Sequence, residues 1–237
     1  MTTLAFHGHA AFMIDSPDCT IFIDPFFTGN PAAVTAWQSL KKPDVVLVTH
    51  LHDDHEGDTV AICRETGAQL GGVVGLVGKL VEKGVSQSQV LNGIGFNIGG
   101  TITVGNTRIT MTEAFHTTDA GACTGYIIHL ANGCTVYHAG DTCVFANMET
   151  WGKLYSIDVA LLPIGGVFGM EARQAALAAK MLNAKAVIPM HYKTFPVLEQ
   201  SADAFVDELA RIAPTCHPVI LNPGESKELP LSLLTTI

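Results

Sequence analysis

The chain has 237 residues, with 22 acidic against 13 basic side chains, a formal charge of −9, 48% hydrophobic and 15% charged residues. A chain of this length and apolar content can bury a core without disulfide staples, which excludes disorder. The acidic balance argues against a nucleic-acid partner, whose binding draws on clustered Lys and Arg, and no apolar run reaches the ~18–20 residues of a membrane span.

Short apolar runs at 4–6, 11–14 and 20–23, separated by turn chemistry at Gly8 and at Asp15-Ser16-Pro17-Asp18, predict a β-meander. The run Asp44-Val45-Val46-Leu47-Val48-Thr49 reads as a strand covered on both faces, and it stops at His50. A polar loop is expected over 50–58, then a helix capped by Asp58 and running to about Glu65. The best apolar stretch, 70–80, is short, rich in glycine and interrupted by Lys79. Strands are expected at 101–104, 108–112, 125–130 and 134–137. Thereafter the pattern alternates: helix 148–154, strand 159–162, helix 171–182, strand 186–188, helix 202–212 and strand 218–221. With no Pro/Ser-rich linker, this predicts two sheets packed together and covered by helices, one domain over 1–237. The N-terminus carries no basic region before its apolar part, and six cysteines occur without a C-x-x-C pair. Both features fit a cytoplasmic protein with free, buried thiols.

The segment His50-Leu51-His52-Asp53-Asp54-His55 places three imidazoles among carboxylates directly after a buried-type strand. A chain that turns after Thr49 can aim His50 and His52 at one locus and Asp54 and His55 at a neighbouring one, a spacing suited to two adjacent metals. Further ligands must come from elsewhere, and His116, Asp141 and His191 each stand where an apolar run ends. Taken singly, His116 and His191 read as structural residues of strand ends, and Asp141 as half of a Gly-Asp turn.

Together these residues resemble the metallo-β-lactamase superfamily, whose H-x-H-x-D-H motif is matched by His50, His52, Asp54 and His55. Gly8-His9, Ile23-Asp24-Pro25 and Pro189-Met190-His191-Tyr192 resemble most closely its UPF0173-type metal-dependent hydrolases, a group related to the ascorbate-phosphate lactonase branch. The resemblance implies a four-layer αββα sandwich of two mixed β-sheets flanked by helices, of the α/β (α+β) class. It implies that His116 joins His50 and His52 on a first metal, that His191 joins Asp54 and His55 on a second, and that Asp141 bridges both. The di-iron redox members of the superfamily carry Glu where this chain has His52, so Zn²⁺ is expected first, with Mn²⁺, Fe²⁺ or Ni²⁺ as alternatives.

The expected activity is hydrolysis of a small ester, lactone or phosphoester by a hydroxide activated between two metals, with Asp54 or a metal-bound water returning a proton to the leaving group. A phosphodiesterase or nuclease of the same fold, and a non-catalytic metal-binding protein, are the rival readings. His9 reads either as a substrate-pocket residue or as a core imidazole, and Tyr192 as a group that can bond substrate. Asp24 either holds a ligand imidazole through its second nitrogen or caps a turn before Pro25. Gly165-Gly166 either lets backbone approach the cleft or forms a turn, and Phe26-Phe27 either wall a pocket or pack in the core. His7, His129, His138 and His217 read as structural. High apolar content with few charges suggests a homo-oligomer.

Overall fold

Strands β1 (Thr2–Phe6), β2 (Phe12–Asp15) and β3 (Thr20–Ile23) form the expected antiparallel meander in a computed structural model that describes residues 1–231. The buried run beyond them becomes β4 (Val45–Leu47), parallel to β3 and fully enclosed, and β5 (Gln69–Gly71) lies parallel to β4. A second sheet begins with four antiparallel neighbours, β6 (Thr101–Val104), β7 (Thr107–Glu113), β8 (Thr124–His129) and β9 (Thr135–His138). It continues in parallel through β10 (Val159–Pro163), β11 (Ala186–Met190) and β12 (His217–Pro218). The chain then returns to the first sheet, where β13 (Ser226–Leu229) pairs antiparallel with β1. The orders are β13-β1-β2-β3-β4-β5 and β12-β11-β10-β9-β8-β7-β6, so both sheets are mixed. In each, the antiparallel neighbours are linked mainly by short turns, and the parallel ones need crossovers.

The crossovers and flanks carry the helices: α1 (Asp53–Glu56), α2 (Thr59–Thr66), α3 (Val74–Glu82), α4 (Asn147–Leu154), α5 (Ala172–Met181) and α6 (Asp203–Ile212). On α6 the buried Phe205 and Leu209 are four apart, one stripe of an amphipathic helix. Glu171 caps α5, its carboxylate accepting from the backbone N–H groups of Arg173 and Gln174 at 2.8 Å each. Two mixed sheets with helices on their crossovers agree with the four-layer αββα sandwich that the sequence resemblance implied.

Several expectations need correction. Residues 50–58 are not all loop, because the carboxylate-rich turn after His52 winds into α1, where Asp53 and Asp54 sit favourably at a helix N-terminus. Asp58 precedes α2 but its side chain does not cap it; the carboxylate accepts from Phe27 N–H and Thr28 N–H at 3.0 and 2.8 Å. The apolar stretch 70–80 is split into β5 and α3, whose buried Leu76, Val77 and Leu80 have helical spacing that the intervening glycines obscure. The expected strand 218–221 shrinks to His217–Pro218, and β13 was not expected. Five of the six cysteines are buried, as anticipated, but Cys143 is exposed. Among the described residues no helix is long and apolar enough to cross a membrane.

Side-chain bonds join the sheets near their strand ends. Tyr126 Oη donates to Val48 O at 2.5 Å, and Thr124 donates to Thr49 O through its backbone N–H (3.1 Å) and its hydroxyl (2.9 Å). His138 Nε2 lies 3.0 Å from Ala10 O. Buried polar groups persist only when paired, so these bonds fix how the two sheets register against each other.

Candidate metal centre

At this edge the strand ends converge. The chain leaving β4 delivers His50 and His52, α1 carries Asp54 and His55, and His116, Asp141 and His191 follow β7, β9 and β11. His9 comes from the turn between β1 and β2. The structure brings all seven expected ligand residues together. His50, His52 and His116 form one group with ligand atoms within 4.8 Å of one another, and Asp54, His55, His191 and His9 form a second. Asp141 lies between them, its Oδ2 at 3.0 Å from His191 Nε2, 3.4 Å from His55 Nε2 and 3.7 Å from His116 Nε2.

The donor set fits divalent cations. His50 Nε2 and His52 Nδ1 approach to 3.0 Å, a contact that two bare nitrogens make favourably when both face a cation. His55 Nε2 and Asp141 Oδ1 are buried without a hydrogen-bond partner. Orphaned buried groups of this kind are costly, and an ion among them would satisfy both.

Asp24 organises two of the imidazoles. Its carboxylate is fully buried and accepts from Thr49 N–H at 2.8 Å and from the Thr49 hydroxyl at 2.7 Å, while His55 Nδ1 stands 2.8 Å from Oδ2. Having given its only proton to Asp24, the Thr49 hydroxyl can only accept from His50 Nδ1, 3.0 Å away. His50 is therefore held with Nε2 bare and turned toward the cluster. His55 donates Nδ1–H to Asp24 and likewise turns Nε2 inward. Of the two roles open to Asp24, the geometry shows the carboxylate bonded to an imidazole of the cluster. Thr49 was not anticipated, and its only sequence signal is its place immediately before His50.

The electrostatics follow from burial and from these contacts. Burial presses His50 down to about 2, with nearby His55 adding to the effect, so it stays neutral. Burial would also lower His55, but Asp141 and Asp24 together raise it well above its ordinary value. Burial would raise Asp141, yet His55 and His191 hold it well below the usual carboxylate range. Asp54 behaves alike: burial opposes ionisation, and the bond to His9 and the charge of His55 overcome it.

Strained backbone concentrates here. His9, Asp24 and His191 have φ of 59°, 46° and 56°, a conformation that costs side-chain-bearing residues about 1–3 kcal/mol. His191 N–H donates to His9 O at 2.7 Å, and the two ring centroids lie 3.9 Å apart with the planes tilted at 44°. A Cβ on Gly165 would stand 2.2 Å from His191 O, so Gly165 brings backbone against the cluster, whereas Gly166, at φ 86°, forms the turn.

His9 is fully buried and its Nε2 lies 3.0 Å from Asp54 Oδ2, which places it nearer the ligand residues than a pocket wall would be. Burial lowers it to about 4. With Tyr192 it also lines a cavity of about 310 Å³, shared with Phe6, Ala32, Lys193 and Leu221. Phe26 meets the His9 ring edge-on at 5.9 Å, whereas Phe27 packs on Phe22 and His7 in the core. Among the remaining histidines, His129 bonds the Thr135 hydroxyl, His138 bonds Ala10 O, His7 is buried and His217 is exposed.

A two-sheet sandwich with clustered imidazoles and carboxylates at its strand ends defines the class, a metal-centred protein of the metallo-β-lactamase fold. The family described as Beta-lactamase superfamily domain matches residues 3–191. A UPF0173 metal-dependent hydrolase of Nitratidesulfovibrio vulgaris is 54% identical over 96% of this chain and 95% of its own length. Another, from Lawsonia intracellularis, is 51% identical over 96% of this chain and 99% of its own. The solved structure of Igni18, a metallo hydrolase of Ignicoccus hospitalis, is similar at 38% identity and a TM-score of 0.86, over 95% of this chain and 97% of its own. The chain belongs to the metallo-β-lactamase superfamily and, within it, to the UPF0173 metal-dependent hydrolases.

Proposed function

We propose that this protein is a hydrolase that holds two divalent metal ions and cleaves an ester, lactone or phosphoester bond of a small molecule. The observation that carries the reading is the buried Asp141 carboxylate set among His55, His116 and His191, with one oxygen lacking any partner. In this reading His50, His52 and His116 hold the first ion, Asp54, His55 and His191 the second, and Asp141 reaches both. Two such ions would activate a shared water as nucleophile and polarise the oxygen it attacks. A donor set of nitrogen and oxygen without thiolate suits Zn²⁺ first, and Mn²⁺, Fe²⁺ or Ni²⁺ as well.

The chain's own groups supply orientation and proton transfer. Thr49 keeps the inward nitrogen of His50 bare, and Asp24 aims that of His55 at the cluster. Asp54 is 31% exposed and ionised, so a carboxylate oxygen can take a proton from the attacking water and pass it to the leaving group. His9 fixes the Asp54 carboxylate, and with Tyr192 it borders the cavity in which we place part of the substrate. Catalysis is favoured over metal storage because His52, Asp54 and His116 are partly exposed, leaving an open side to the cluster. The net charge of −9 disfavours a nucleic-acid substrate.

The test is metal analysis of the purified chain by mass spectrometry, with a panel of lactones, carboxylesters and bis-(nitrophenyl) phosphate before and after chelation. About two metals per chain and chelator-sensitive cleavage of one class are expected. A chain that takes up no metal after reconstitution with Zn²⁺ or Mn²⁺ overturns the reading.

A further inference from the structure

Large apolar side chains are exposed on segments whose backbone adjoins residues of the cluster. Phe115, next to His116, is 58% exposed, and Val167 and Phe168 are 64% and 52% exposed. Phe145 is half-buried, its ring centroid 5.1 Å from that of Phe115. Each is tied to backbone that carries a cluster residue. Phe115 N–H donates to the hydroxyl of Thr142 at 3.0 Å, and Thr142 directly follows Asp141. The loop bearing Val167 and Phe168 begins at Gly165, pressed against His191 O, and ends at Gly169, where a Cβ would lie 3.4 Å from Thr142 O. It therefore runs along the cluster from His191 to the strand end beside Asp141, and its apex projects two apolar side chains into solvent. Isolated exposed apolar residues are ordinary, whereas a grouping beside a polar site marks a binding surface.

The charge pattern says what the surface can bind. Segments 114–119, 142–148 and 164–170 contain no Lys or Arg, and Asp119 is their only charged residue. Such a rim offers nothing to a polyanion or an anionic lipid surface. It is continuous with the proposed catalytic centre, which points to the substrate as its occupant.

We propose that Phe115, Phe145, Val167 and Phe168 receive the part of the substrate beyond the scissile bond, and that this part is an uncharged alkyl or aryl group. The substrate class is then an ester or lactone with an apolar chain. This rests on the hydrolase reading and narrows it.

The test is the series p-nitrophenyl acetate, butyrate and hexanoate, kept below micellar concentrations, on wild type, Phe115→Ser, Phe168→Ser and the double variant. All changes are at exposed positions, so folding is preserved. In wild type kcat/KM should rise about tenfold or more from acetate to hexanoate, since each added methylene gains contact with the rim. In the double variant that ratio should fall to about threefold or less. Calorimetric titration with acetate and hexanoate reads the same ratio as affinities, without turnover. A ratio unchanged between wild type and the double variant, or no chain-length preference in wild type, overturns the inference. So does a wild-type dimer that the double variant converts to monomer in sedimentation, which would give the surface to a second copy. Metal content measured on the same samples separates the two failures: an unchanged ratio in a fully metal-loaded chain refutes the rim alone, and a chain that takes up no metal refutes the hydrolase reading beneath it.

Discussion

Replacing Asp24 by Asn tests the proposed organisation of the centre without touching a ligand. The wild-type carboxylate accepts three hydrogen bonds, from Thr49 N–H, the Thr49 hydroxyl and His55 Nδ1–H, at 2.7–2.8 Å. Asn keeps one acceptor for Thr49 N–H but sets an NH₂ group against two donors. The clash is relieved only if His55 shifts its proton to Nε2, facing the cluster, and the Thr49 hydroxyl turns away and releases His50. Loss of such orienting partners typically weakens metal binding by about 10–100-fold, or roughly 1.4–2.7 kcal/mol. Competition titration of Zn²⁺ against a chromophoric chelator measures this directly, and thermal unfolding of both metal-free proteins separates it from loss of fold. An Asp24→Asn protein that binds Zn²⁺ within about threefold of wild type would refute the argument that Asp24 sets the two tautomers.

Three further outcomes are expected. His55 is held protonated by Asp141 and Asp24, so an ion must displace that proton; affinity should rise about tenfold per pH unit below the His55 pKa, and calorimetry in buffers of different ionisation enthalpy should show proton release on binding. Burial lowers His7 to about 4 from 6.5. The unfolded chain then takes up that proton first on acidification, so stability present above pH 6.5 is lost as pH falls toward 4, about 2 kcal/mol of it by pH 5. Urea unfolding of the metal-free protein at pH 5 and 7.5 should show a smaller acid loss for His7→Phe, and equal losses would discount the effect. Gly165→Ala puts a Cβ 2.2 Å from His191 O and should cost about 1–3 kcal/mol while weakening metal binding. Gly166→Ala, with only Glu199 Cγ at 3.9 Å, should cost stability through its φ of 86° but leave metal affinity unchanged; equal affinity in both variants would count against the close approach.

The parts legible in the sequence were those written in local pattern. Alternation over the first strands and the enclosed run of β4 give the meander and the strand that ends at the cluster, and H-x-H-x-D-H gives half the cluster at once. β5 and α3 were hidden because Gly71, Gly72, Gly75 and Gly78 dilute both periodicities. β13 reads Ser-Lys-Glu-Leu, with all but the Leu exposed, and such charged edge strands lack an apolar face by which to be found. Partnerships across strand ends are harder still. Asp24 meets Thr49 and His55 at separations of 25 and 31 residues, and His9 meets Asp54 at 45. Nothing in the local sequence of either partner encodes the other, so these contacts form only once the strands of the six-stranded sheet are in register.

The cluster draws His9, Asp24, His50, His52, Asp54 and His55 from the six-stranded sheet and its connections, and His116, Asp141 and His191 from the seven-stranded one. Ions held there, as proposed, would act as rivets through the seam of the sandwich. Prying the sheets apart would first require their release, so metal present at a thousandfold over its dissociation constant adds about 4 kcal/mol against global unfolding. The amide of Thr124, donated across the seam to Thr49 O, would then exchange with solvent on the timescale of metal departure, and lifetime at high temperature would depend on ion occupancy as much as on the core.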